Sequence, residues 1–181
     1  MTGDQIVDHS VTGKDLKMRT VPGIRIGADP TVGGWLASGD ETATSVDRAR
    51  SAGIYPATYR LAACEPDLAL VPGTPVEVGD LVFDVVPTPG HAIGHLAFLA
   101  DIDGVRTLFS GDALFPQGRI LLQDTWDCDL HDALRSVERL AALGAERLLA
   151  GHLGPVLADA PTHLAAATAR IGRLLVPESL A

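Results

Sequence analysis

Thr88-Pro89-Gly90-His91-Ala92-Ile93-Gly94-His95 opens the stretch that decides the fold, and Ser110-Gly111-Asp112-Ala113-Leu114-Phe115 closes it. Between them lie two strand-like runs, Leu96 to Leu99 and Val105 to Phe109, joined across Asp101-Ile102-Asp103-Gly104. Downstream, Arg147 to Ala150 reads as a short strand ending at Gly151-His152. His91, Asp112 and His152 therefore each fall at the end of a predicted strand. Imidazole and carboxylate are ligands that suit zinc, manganese or non-haem iron, and a site gathered from several strand ends leaves a coordination position open for water.

Outward from this stretch the chain alternates elements. Leu81 to Val86 is an apolar strand leading to His91, entered through a Gly79-Asp80 hairpin turn from a strand over Pro75 to Val78. Upstream, the pattern predicts a helix over residues 8 to 19, a short strand at Ile24 to Gly27, a helix over Thr31 to Ala37 and another over Glu41 to Ala52, with Asp40 as N-cap and Gly53 as stop. Downstream, Leu130, Ala133, Leu134, Val137, Leu140 and Ala141 keep helical spacing before Gly144. A last amphipathic helix follows an Asp159 cap, with Leu164, Thr168, Ile171 and Leu175 on one face. Alternation of this kind is an α/β signature.

The order of these motifs resembles the metallo-β-lactamase superfamily, and residues 9 to 157 fit it throughout. Gly118-Arg119-Ile120-Leu121-Leu122-Gln123-Asp124-Thr125 and Asp127-Cys128 look like the strand and loop of its glyoxalase-II-like members. The resemblance implies a four-layer αββα sandwich, here a single domain over 1 to 181. In the family, the histidines matching His91 and His152 bind metal and the aspartate matching Asp112 commonly bridges two ions. The signature His-x-His-x-Asp-His can sit only at Asp4-Gln5-Ile6-Val7-Asp8-His9. One metal site is then left with Asp4, Ile6 and His91, and isoleucine cannot bind a metal. The other, Asp8, His9, Asp112 and His152, is complete. The resemblance thus implies one ion, zinc or alternatively manganese or iron, with the second site degraded. Asp8 and Asp112 are the carboxylates it places in catalysis.

Family members build several strands before that signature, so the first sheet is expected to be incomplete. A fragment of a longer product, a start assigned too far downstream, and a shortened homologue that pairs with another copy to cover the open sheet all meet this expectation.

Each candidate residue also has a plainer reading. His152 reads as a turn histidine bonded to backbone, His91 as an ordinary hydrogen-bonded histidine, and Asp8 with His9 as a helix-cap pair. Asp112 reads as a turn former, although a carboxylate between apolar strands is costly to bury without a cation or hydrogen bonds. His95 falls outside the metal ligands, in a packing or hydrogen-bonding role. His131 and His163 read as solvated helix residues, and Cys128 as structural.

Composition narrows the function classes. The 181 residues are 46% hydrophobic and 20% charged, enough for one sizeable core. A formal net charge of −9 argues against a large phosphate-binding surface, and so against the nuclease members of the superfamily and nucleic-acid partners. Cys64 and Cys128 are too few for a disulfide framework. Met1 to Asp8 holds neither a basic nor an apolar leader segment, and no apolar run approaches the roughly 20 residues of a membrane span, so the cytoplasm is the expected compartment.

The chemistry implied is hydrolysis of an ester, thioester or lactone in a small molecule by metal-activated water, impaired by the loss at Ile6. The alternative is a catalytically silent relative that keeps the fold and binds a metal or partner. Iron-based redox chemistry ranks behind both.

Overall fold

The computed structural model describes residues 26–180. The readings made on Asp4, Ile6, Asp8, His9 and the helix over 8 to 19 lie outside the described residues.

The architecture is α/β. Five strands, β3 (Val76–Val78), β4 (Leu81–Pro87), β5 (Leu96–Ile102), β6 (Val105–Gly111) and β7 (Arg147–Ala150), form one sheet in chain order. The first three pairings are antiparallel, and β7 joins β6 in parallel. Apart from this sheet, the described residues pair as strands in β1 (Gly27–Ala28) with β2 (Leu68–Ala69), in parallel.

The β5–β6 hairpin is tighter than the sequence suggests. Ile102 pairs with Val105, so only Asp103 and Gly104 remain in the turn, with φ of 54° and 74°. Two successive positive φ values match the right-handed twist of the strands, and Asp-Gly supplies them at low cost. β5 consequently runs on to Ile102.

Parallel addition of β7 requires a crossover, which α3 (Leu130–Ala141) provides. Its N-cap Asp129 accepts from the Asp132 N–H, and Ala133, Val137 and Leu140 are buried. Val137 and Leu140 join Leu99, Leu108 and Leu148 from the sheet and Leu164 from α4 (Ala160–Ile171) in the core. Asp159 precedes α4 but does not cap its backbone, accepting the Thr162 hydroxyl instead. Leu175 lies beyond the helix and half exposed.

Upstream, α1 (Pro30–Ser38) begins as expected, its first N–H groups bonded to Asp29 Oδ1. The helix expected over Glu41 to Ala52 is shortened to α2 (Val46–Ser51). Asp40 Oδ1 does accept from Thr42 and Ala43 N–H, but the turn it caps breaks at Ser45, where φ is 57°. No helix among the described residues is long and apolar enough to cross a membrane.

Candidate metal centre

His91, Asp112 and His152 converge. His91 Nε2 stands 3.7 Å and His152 Nε2 3.4 Å from the same carboxylate oxygen, Asp112 Oδ2. Each arrives from a different connection of the sheet, and each is braced.

His91 follows β4 in a turn fastened to α3. Ser136 Oγ, buried in that helix, donates to the Pro89 carbonyl at 2.7 Å, and the Asp129 N–H donates to the Gly90 carbonyl at 2.9 Å. The ring is then oriented by Nδ1, 3.0 Å from the Leu121 carbonyl. A carbonyl only accepts, so Nδ1 carries the proton and Nε2 keeps its lone pair. The Gln123 amide nitrogen lies 2.7 Å from that Nε2 and donates to it.

Asp112 follows directly on β6, and His95 holds its backbone. The Asp112 N–H donates to His95 Nε2 at 3.1 Å, which fixes the tautomer: His95 Nδ1 bears the proton and donates to Thr88 Oγ1 at 2.7 Å. Burial, with His91 close by, pushes the His95 imidazole down to about 4, so it stays neutral at physiological pH. Gly111 must be glycine twice over. Its φ is 52°, and a Cβ there would stand 2.7 Å from His95 Nε2. The plainer reading of His95 as a hydrogen-bonded residue is the one observed.

His152 follows β7 and is mostly exposed, its ring stacked on Phe115 with centroids 6.1 Å apart. Gly151 is the price of that approach: a Cβ would meet Asp112 Oδ1 at 2.2 Å. The Gly151 N–H donates to the Gly111 carbonyl at 2.8 Å, locking the ends of β6 and β7 together.

The described residues alone do not gather three or more His, Cys, Asp or Glu side chains into a group able to hold an ion. They supply one carboxylate oxygen flanked by two imidazole nitrogens, and the expected companions Asp8 and His9 lie outside them. His131 is exposed as anticipated, whereas His163 is not merely solvated, since its Nδ1 accepts the Gln117 N–H at 2.7 Å. Cys128 Sγ accepts from the Gln123 N–H, the structural role expected of it.

A model of the metallo-beta-lactamase superfamily matches residues 32–152, which includes His91, Asp112 and His152. The chain belongs to that superfamily. It is 41% identical over 88 residues to the hydroxyacylglutathione hydrolase of Pseudomonas entomophila (strain L48), a stretch that makes up 49% of this chain and 32% of that protein. The hydroxyacylglutathione hydrolase of Pseudomonas paraeruginosa (strain DSM 24068 / PA7) matches 79 residues at 43% identity, 44% of this chain and 29% of the relative. Among solved structures, a metallo-beta-lactamase family protein from Thermus thermophilus superposes with a TM-score of 0.58 at 31% identity, covering 84% of this chain and 55% of its own. A superfamily protein from Sulfolobus tokodaii superposes with a TM-score of 0.59 at 19% identity, over 81% of this chain and 58% of the other. The chain has the superfamily's fold and spans about a third of the curated relatives and just over half of these solved ones.

The superfamily match begins after the Asp4 to His9 segment, so it leaves those residues untouched. Gln123 escaped the sequence reading as a site residue. No spacing relates it to His91, and only the loop's path, 32 residues further on, brings the two together.

Proposed function

We propose that this chain is a metal-dependent hydrolase acting on an ester, thioester or lactone, and that it does so as one domain on a small molecule in the cytoplasm. The observation that carries the reading is the position of Asp112 Oδ2 between His91 Nε2 and His152 Nε2, at 3.7 and 3.4 Å. The donor chemistry fits zinc, with manganese or iron as alternatives: imidazole nitrogens and a carboxylate, with the His91 lone pair left on Nε2 by the Leu121 bond. Asp112 and His152 would hold one ion together with Asp8 and His9, and His91 stands at the degraded position across the same carboxylate. A bound ion would supply Lewis acidity and bring the pKa of a water close to neutrality.

The chain's own residues do the rest. Thr88 and His95 keep the Asp112 backbone in place, and the Leu121 carbonyl keeps the His91 ring from turning. Asp112 and Asp8 are the carboxylates able to take the proton of an attacking water and return it to the departing oxygen or sulfur. A thioester is the favoured bond, because the curated relatives carry the name hydroxyacylglutathione hydrolase.

A second reading, a fold relative that binds without turnover, is favoured by one contact. The Gln123 amide occupies the His91 lone pair that an ion would need. Zinc titration of the full chain, followed by assays on a hydroxyacyl thioester and an uncharged thioester, separates the two. Zinc-dependent hydrolysis lost in His152→Ala supports the enzyme, and tight zinc binding without turnover supports the binding protein.

A further inference from the structure

A groove of about 480 Å³ lies between the segment carrying α2 and the 121–127 loop. It adjoins the candidate centre: Ala92 follows His91, Leu121 holds the His91 ring, and Gln123 touches it. The opposite wall presents Ala49, Ala52, Ile54 and Tyr55, of which Ile54 is 73% exposed and Tyr55 40%. Exposed aliphatic and aromatic surface beside a site is what an apolar ligand group covers.

The charge of the lining points the same way. Among the described residues it holds one cation, Arg48, which is paired with Asp124 at 2.5 Å, and Asp127 adds a second carboxylate that accepts the Ile93 N–H. Arg50, further along α2, is paired with Glu41. An anionic ligand would meet more carboxylate than cation in this lining. The remaining polar side chains of the lining, Thr44, Ser45, Gln123 and Thr125, are uncharged. Ser45 also holds the left-handed φ of 57°, a strain that tends to gather at ligand sites. A carboxylate entering this lining would lose its hydration without meeting an unpaired cation among the described residues, a cost an apolar group does not carry.

We propose that this groove receives the uncharged, apolar portion of the substrate, and that the enzyme accordingly prefers neutral thioesters or esters to those carried on an anionic thiol such as glutathione. The inference rests on the hydrolase reading for its meaning, but binding alone can test it. Two thioethers that cannot be hydrolysed serve as probes: S-hexyl-N-acetylcysteamine, which is uncharged, and S-hexylglutathione, which carries net negative charge.

Calorimetric titration of the full chain should find the neutral probe bound at least about tenfold more tightly. Ile54→Asp, at a position exposed enough to accept the change without unfolding, should weaken the neutral probe by about tenfold. Asp124→Lys, at a side chain 98% exposed, should narrow the preference by strengthening the glutathione probe. Equal or tighter binding of S-hexylglutathione to the unaltered chain, no binding of either probe, or an Ile54→Asp variant that binds as before would each overturn the proposal. Preference for the neutral probe without zinc-dependent hydrolysis of its thioester counterpart would leave the groove assignment standing and remove the hydrolase reading instead.

Discussion

His95 Nε2 accepts the backbone N–H of Asp112 at 3.1 Å, so a half-buried neutral histidine supports the carboxylate that its neighbour His91 faces. The motif's two histidines thus divide the work between presenting a lone pair and holding a strand end.

Replacing His95 by Ala should therefore damage the scaffold more than the metal site. Leaving the Asp112 N–H and the Thr88 hydroxyl without their partner costs about 1–3 kcal/mol. A urea titration should show that loss, while zinc binding is reduced far less than in His152→Ala. Equal loss of zinc in both variants would place His95 among the ligands.

Gly151→Ala tests the opposite side. The new methyl would stand 2.2 Å from Asp112 Oδ1, so the carboxylate must leave its place beside His152. The expected outcome is a folded protein, by circular dichroism and thermal melting, that has lost stoichiometric zinc. A Gly151→Ala variant that binds zinc normally would show that the carboxylate is not held where the site requires it.

Much of this arrangement was legible because its causes are local. Arg147 to Ala150 and Leu130 to Ala141 are marked by apolar periodicity and punctuated by turn residues, and both elements occupy those residues. Asp112 and His152 could be placed at strand ends for the same reason. The left-handed Ser45 was not legible, since nothing in serine announces a positive φ, and it shortened the helix expected from Glu41. Nor was the Gln123 contact, which depends on how the 121–127 loop returns over His91.

Acid should destabilise the metal-free protein through His95. An imidazole ordinarily titrates near 6.5 and is held down to about 4 here, so between those values the unfolded chain takes up a proton that the folded one refuses. Stability is fully present above pH 6.5 and falls as pH drops toward 4, by at most about 3 kcal/mol. Urea midpoints of chelator-treated protein across that range should follow this slope, and His95→Gln should flatten it. An unchanged slope in the variant would assign the effect elsewhere.

At the signature segment, Asp4→His with Ile6→His should restore a second set of ligands around His91. Elemental analysis is expected to move from about one bound ion toward two, with hydrolysis rising alongside. A rise in neither would mean that the segment does not reach His91. Thioester turnover of the unaltered chain at an ordinary rate of about 10 per second would show that another group already completes that position.

Zinc stoichiometry measured by equilibrium dialysis and elemental analysis bears most directly on the claim that Asp112 and His152 hold an ion. The unaltered chain and His131→Ala, changed on the exposed face of α3, should each bind about one equivalent at micromolar zinc. His152→Ala and Asp112→Asn should bind none while remaining folded. An unaltered chain that takes up no zinc, manganese or iron, or a His152→Ala variant that still takes up a full equivalent, would contradict the account.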